Sequence, residues 1–295
     1  MLATSPHCLG LNSDAEAGDN FAMATQAEKG IAFRALHQRD RAFIVPNPWD
    51  AGSARLLTLL GFEALATTSA GCAFAAGQPD NRMDRHAVMA QISAIASATV
   101  LPVSADLENG FGDASETVVQ TIRLAAAAGV AGGSIEDMSR ETGHHIYPPE
   151  FAAERVRAAA EAARALPFVF TLTARAENYL VGRPDLRDTI ERLQAYQEAG
   201  ADVLYAPGLT SEDEISAVVR SVDRPVNVIM GLKGVPLSLA RLSAMGVRRV
   251  SVGSALSRVA LGAFLRAAQE MRDHGTFAFA EEAVSYRDLN AMFET

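Results

Sequence analysis

Cysteine is nearly absent, with Cys8 and Cys72 alone in 295 residues. No CxxC motif and no disulfide framework can be drawn from two such residues, so a reducing compartment is expected. Lysine is as scarce, with Lys29 and Lys233 alone, which leaves little material for a Schiff-base nucleophile inside a core. Long basic runs are missing, and the net charge is −9 with a pI of about 5.2. That balance argues against nucleic acid and against an anionic membrane surface as partners. No apolar run reaches transmembrane length. The opening MLATSPHCLGLNSDAEAGDN lacks the basic and apolar regions of a signal peptide, so the expected address is the cytoplasm. No GxGxxG follows the first apolar run, which removes the usual dinucleotide fingerprint.

What is present is a rhythm. The composition, 49% hydrophobic and 21% charged, is that of an ordinary globular chain able to bury a large core. Strand-like runs fall at 43–47, 64–69, 102–106, 132–137, 168–175, 202–208, 225–230 and 249–254. Helical patterns fall between and after them at 51–60, 84–98, 115–128, 149–165, 185–199, 211–221, 236–245 and 255–273. Gly61, Gly129, Gly200 and Gly246 each close a helical run before the next strand, as C-terminal caps do. Strict alternation of eight strands with eight helices predicts a (β/α)8 TIM barrel of the α/β class. An open doubly wound sheet is the second choice. The expected domains are a flexible leader at 1–26, a barrel at 27–274 and a C-terminal helical extension at 275–295, with a last helix at 281–292.

In such a barrel the chemistry gathers at the carboxyl ends of the strands. Those ends carry Asn47 and Trp49; Thr67 to Gly71; Asp106 and Glu108; Glu136 and Asp137; Thr173, Arg175 and Glu177; and then Tyr205, Asn227, Ser251 and Ser254. Asp106, Glu108 and Glu136 come from adjacent strands without a Cys or His companion. Such a set suits a hard, oxygen-loving cation, Mg2+ first and Mn2+ second. Arg175 offers a planar fork for a carboxylate or phosphate. Ser69, Ala70 and Gly71 offer a small nest of N–H groups for an anion. Together they describe a site for a small dianion. Other residues have plainer readings. Trp49 taken alone is packing, Cys72 is a small buried hydrophobe, and Asp113 and Ser115 are turn formers or caps. His37 and His86 are read as surface or helix-face residues.

The motifs PNPWDAGSARLL, TTSAGCAFAAGQPD, SADLENGFG, SIED, TARAENYL and VNVIMG together resemble the isocitrate lyase / phosphoenolpyruvate mutase superfamily, roughly from Phe43 to Leu265. The resemblance implies that Asp106 ligates Mg2+ directly, with Glu108 and Glu136 acting through water. It implies that Trp49, Ser69, Ala70, Gly71 and Arg175 hold the carboxylate and 2-oxo group of the substrate, and that Asp80 lies on a loop closing over the site. Asn227 is taken as a further substrate contact. The shared chemistry is a metal-stabilised enolate. The family also forms oligomers, usually tetramers, in which a C-terminal helix is exchanged. The runs at 255–273 and 281–292 are the helices that could do so here, giving a homo-oligomer, dimer or tetramer.

One motif departs. The carbon–carbon lyases of the family carry a K-[KR]-C-G-H loop after strand four, where this chain reads SRETGHHIYPPE. Thr142 stands in place of the acid/base Cys, and a hydroxyl is a far poorer proton donor than a thiol. The leading expectation is therefore a Mg2+-dependent lyase or decarboxylase of a small 2-oxo dicarboxylate such as oxaloacetate, since decarboxylation needs no acid or base to begin. Tyr205, His144 or water would then protonate the enolate. A phosphonopyruvate mutase or hydrolase is the alternative, with Thr142 orienting a nucleophile. A Schiff-base aldolase and a non-catalytic 2-oxo acid binder stand behind these.

Overall fold

The computed structural model describes residues 24–139 and 145–294. Its eight strands are β1 Phe43–Val45, β2 Leu65–Ala66, β3 Val103–Asp106, β4 Gly132–Glu136, β5 Thr171–Arg175, β6 Val203–Tyr205, β7 Val226–Ile229 and β8 Arg249–Ser251. They form one parallel sheet in the order β1-β8-β7-β6-β5-β4-β3-β2. The β1–β2 seam has no ladder of its own. It is drawn together by Ala66 N–H donating to the Pro46 carbonyl at 3.1 Å and by Asn47 Nδ2 donating to the Thr67 carbonyl at 3.0 Å. The Asn47 Oδ1 accepts from the N–H groups of Val252 and Gly253, both at 2.9 Å. One buried amide therefore ties the ends of β1, β2 and β8, and the sheet is a TIM barrel.

The surrounding helices are α1 Gln26–His37, α2 Ala51–Leu59, α3 Ser69–Ala75, α4 Arg85–Ser97, α5 Ser115–Ala127, α6 Pro149–Arg164, α7 Leu186–Ala199, α8 Glu212–Ser221, α9 Leu239–Ala244, α10 Ala255–His274 and α11 Tyr286–Glu294. The glycine joints behave as their position in the sequence suggests. Gly200 ends α7 with φ of 108°, a left-handed conformation that costs a glycine nothing.

Two helices exceed the sequence reading. Helix α1 starts at the last residue of the expected leader and fills a stretch, Gln26–His37, to which the sequence reading assigns no helix. Its entry is a capping box, Thr25 and Glu28 bonded reciprocally, a T-x-x-E signal present in the sequence. It lies across the amino-terminal end of the barrel: Phe33, fully buried, packs with Leu36, Phe43, Val45 and Ala131. Lys29 is buried as well and donates to the Thr99 carbonyl at 2.8 Å. His37 is not a surface residue; it is 5% exposed, wedged edge-on between Phe33 and Phe43. The leader residues 1–23 lie outside the described residues. Helix α3 forms where a strand-end loop is expected, because Thr68 caps it by accepting from Gly71 N–H at 3.3 Å.

The tail is also divided differently. A 3₁₀ turn at Ala278–Glu282 precedes α11. Ser285 breaks the expected single helix by capping the new one, its Oγ accepting from Asp288 N–H at 3.1 Å. Helix α11 returns to α2 of the same chain, where Arg55 donates to the Phe293 carbonyl at 2.7 Å and lies over its ring. Helix α10 buries Ser257 alone among its twenty residues. Val259, Phe264 and Leu265 on it are 69%, 66% and 56% exposed. Among the described residues no helix is long and apolar enough to cross a membrane.

Candidate active site at the carboxyl ends of the strands

A cavity of about 320 Å³ opens at the carboxyl ends of the strands. Six of the expected catalytic, substrate and metal residues line it, Ser69, Asp80, Asp106, Arg175, Tyr205 and Asn227, together with the strand-end residues Asn47, Thr67, Thr68, Ser251 and Ser254. Trp49, Ala70, Gly71, Glu108 and Glu136 do not reach its wall. Thr142 and His144 lie outside the described residues.

The centre of the site is Arg175, delivered by the last residue of β5. Its Nη1 stands 3.0 Å from Asp106 Oδ1 and 3.0 Å from Glu136 Oε2, and its Nε donates to Glu177 Oε1 at 2.9 Å. The register explains the convergence. Asp106 pairs with Ser134 across β3 and β4, and Glu136 pairs with Arg175 across β4 and β5. The other oxygen of Asp106 accepts from the Ser69 N–H at 3.1 Å, at the first turn of α3. Two of the N–H groups expected to form an anion nest are thus engaged within the chain, Ser69 by Asp106 and Gly71 by Thr68. Below the guanidinium lies the ring of Tyr205, 5.3 Å from the Arg175 Cζ.

The acids here outnumber the one guanidinium among them. Glu136 is pushed well above the usual carboxylate range, first by burial and then by Glu177, Asp106 and Glu108, against the pull of Arg175. Burial likewise raises Glu177 to about 7, although Arg175 opposes it. Asp80 is raised by desolvation and by Asp106, with Ser69 lowering it. Burial works against the charge of Arg175, but Glu136, Glu177 and Asp106 outweigh it and hold the guanidinium protonated. Tyr205 is pushed up to about 12 by burial, so its phenol keeps its proton at neutral pH. Among the described residues no three His, Cys, Asp or Glu side chains are arranged to cage a metal directly.

The loop carrying Glu108 is held from outside. Glu108 has φ of 49° and Phe111 has φ of 64°, a left-handed conformation that side chains adopt at a cost. Arg155 of α6 pins the loop: it donates to the Gly112 carbonyl at 2.8 Å and to the carbonyls of Asn109 and Asp113. Its guanidinium lies 4.5 Å from the centre of the Tyr147 ring. Asp137, the strand-end neighbour of Glu136, is structural. It accepts from Arg192 at 3.0 Å, from Tyr196 at 2.6 Å and from the Glu177 N–H at 2.8 Å. Neither lysine lines the cavity, and burial pushes the Cys72 thiol up to about 12.

Sequence reasoning passed over Arg155 and Arg249. Arg249 lines the cavity floor from β8. The signal was available, since it lies two residues before Ser251 and so shares its inward face.

A TIM barrel that collects acids and an arginine at its catalytic end defines an enzyme scaffold of the (β/α)8 class. Residues 33–272 match the family model described as phosphoenolpyruvate phosphomutase. A crystal structure from Burkholderia cenocepacia, described only broadly as a lyase/mutase, superposes with a TM-score of 0.90 at 64% identity, covering 92% of this chain and 98% of that one. An oxaloacetate decarboxylase of Chromohalobacter salexigens is 31% identical over 85% of this chain and 88% of its own length. Oxaloacetate acetylhydrolase bound to the inhibitor 3,3-difluorooxalacetate is 27% identical with a TM-score of 0.81, over 91% of this chain and 93% of that one. The chain belongs to the isocitrate lyase / phosphoenolpyruvate mutase superfamily and is an enzyme of it.

Proposed function

We propose that this enzyme is a Mg2+-dependent lyase or decarboxylase of a small, oxaloacetate-like 2-oxo dicarboxylate. The observation that carries the reading is the meeting of Asp106, Glu136 and Glu177 on Arg175 at the wall of the cavity. The relatives named for oxaloacetate chemistry support it. The donor set fits the metal. It consists of carboxylate oxygens in excess over the nearby cation, and Glu136 among them is raised first by burial and then by the neighbouring acids, a charge that a bound cation would offset. Without a three-acid cage, Asp106 would hold the ion directly and Glu108 and Glu136 through water, as Mg2+ favours. When bound, the ion supplies electrophilic stabilisation of the charge that develops on the 2-oxo oxygen.

The chain's own residues do the rest. Arg175 takes the substrate carboxylate and is kept charged by its acid partners. Tyr205, protonated at neutral pH, can give a hydrogen bond or a proton to an enolate but cannot act as a base. Trp49, Ala70 and Gly71 would act from beside the cavity, and Asp80 from its rim. His144 is kept as a proton donor to the enolate, and Thr142 as the group that would orient a nucleophile in the phosphonopyruvate alternative. The exposed apolar face of α10, with Val259, Phe264 and Leu265, is the surface through which copies would assemble as a dimer or tetramer.

Proton NMR of oxaloacetate with Mg2+ tests the reading, with Asp106→Ala as control for decarboxylation by the metal alone. Pyruvate should form faster with the wild type than with the variant. Equal rates would sink oxaloacetate as substrate and bring forward phosphonopyruvate, followed by 31P NMR.

A further inference from the structure

The floor of the cavity holds a second guanidinium with no counter-charge among the described residues. Arg249 is 4% exposed. Its Nε donates to Asn227 Oδ1 at 2.8 Å, and the Asn227 Nδ2 is fixed in turn by Ser251 Oγ at 3.0 Å. The remaining edge is free. Nη1 is buried without a partner, and neither Nη1 nor Nη2 donates to any described residue. No carboxylate offsets the cost of burial: the guanidinium falls to about 10 through desolvation, with Tyr205 opposing and Arg175 adding to the fall.

A buried, unneutralised charge is expensive to keep. The contrast with Arg175 is direct, because Arg175 has three acid partners and Arg249 has none among the described residues. The free Nη1–Nη2 edge is the fork that grips two oxygens of a planar or tetrahedral anion in parallel. Asn227 locks its orientation, so the fork is ordered before any ligand arrives. The cavity is continuous from Ser69 and Asp106 at the mouth to Asn227 and Arg249 at the floor.

We infer that Arg249, oriented by Asn227, forms an anion subsite on the cavity floor that receives the second acidic group of the substrate and selects 2-oxo diacids over 2-oxo monoacids. The inference rests on the 2-oxo acid reading of the mouth and adds to it the residue that reads the far end. The shared chemistry of that far end is a carboxylate or a phosphonate.

Calorimetric titration in Mg2+ with pyruvate, 3,3-difluorooxaloacetate and phosphonopyruvate tests it, since these share a head and differ in the group at the far end. Wild type should bind at least one diacid about 10-fold or more tighter than pyruvate, and the tighter of the two names the group. Arg249→Met should bring both diacids to within about 2-fold of pyruvate while leaving pyruvate binding unchanged. The melting temperature of the ligand-free variant should rise, by about 3 °C, because a charge kept for binding costs stability. A fall in melting temperature makes Arg249 a structural residue and overturns the subsite. So does diacid preference that survives in Arg249→Met, an equal loss of pyruvate binding, or wild type that binds none of the three. Arg249-dependent diacid binding without turnover would instead sink the lyase reading and leave the subsite standing.

Discussion

Nη1 of Arg175 and Oδ1 of Asp106 stand 3.0 Å apart, and each is the other's partner at the mouth of the cavity. The proposed roles of the two differ, one for the substrate carboxylate and one for the cation. A cation drawing on Asp106 therefore releases part of the hold on Arg175, and the two ligands should bind with positive coupling. Oxalate is expected to bind about 10- to 100-fold more tightly at saturating Mg2+ than without it. Asp106→Asn should remove most of that factor. Titration calorimetry at several Mg2+ concentrations reads it, and an oxalate affinity indifferent to Mg2+ would show that the ion pair does not link the sites.

Arg155 reaches the same centre through backbone. Its three carbonyl contacts hold Asn109, Gly112 and Asp113, which follow Glu108 in a left-handed turn. Arg155→Met would leave buried carbonyls unpaired, at about 1–3 kcal/mol each. We expect a stability loss of about 3 kcal/mol in urea unfolding and a weakening of Mg2+ affinity of about 10-fold. Arg155→Lys, which restores one donor, should recover part of both. Normal Mg2+ affinity in a destabilised Arg155→Met would confine the residue to the scaffold.

The barrel was legible because each strand and helix declares itself locally, by β-branched runs, glycine joints and alternation. The acid-and-arginine mouth was legible for the same reason, since strand ends are positions in a sequence. What was not legible depends on what lies across the barrel. Spacing from Ser251 places Arg249 on the inward face, but only its pairing with Asn227 across β7 and β8 shows that it is buried there. His37 looks like a helix-face residue until Phe33 and Phe43 close around it. Glu177 was visible as a strand-end acid, but its grip on Arg175 comes from a turn of backbone after β5. Helix α1 is the exception, for its capping box could have been read.

Gly30 tests whether α1 belongs to the barrel. A Cβ placed there would stand 2.1 Å from the Val169 carbonyl oxygen, a backbone atom that cannot turn aside. Gly30→Ala should therefore displace α1 and cost about 3 kcal/mol. Gly262→Ala on α10 is the matched control, because its Cβ would meet the tip of the flexible Arg266 side chain at 3.4 Å. There alanine should be neutral or stabilising by about 0.5–1 kcal/mol. Urea unfolding of both variants decides the point. Similar effects at the two sites would mean that the α1–β5 contact contributes little.

His37 gives the protein an acid-side weakness. Burial, with the charge of Arg249, lowers its pKa from 6.5 to about 3, although the Phe33 carbonyl accepts from Nδ1 at 2.8 Å. The native state therefore holds the ring neutral while the unfolded chain takes up a proton below pH 6.5. Stability is complete above that value and falls as the pH drops toward the native pKa. Between pH 6.5 and 5.5 this one group should remove about 1 kcal/mol of unfolding free energy. In His37→Phe, which keeps an aromatic ring between Phe33 and Phe43, that part of the slope should vanish. Denaturant unfolding of both proteins at three pH values measures the difference, and parallel slopes would place the proton uptake elsewhere.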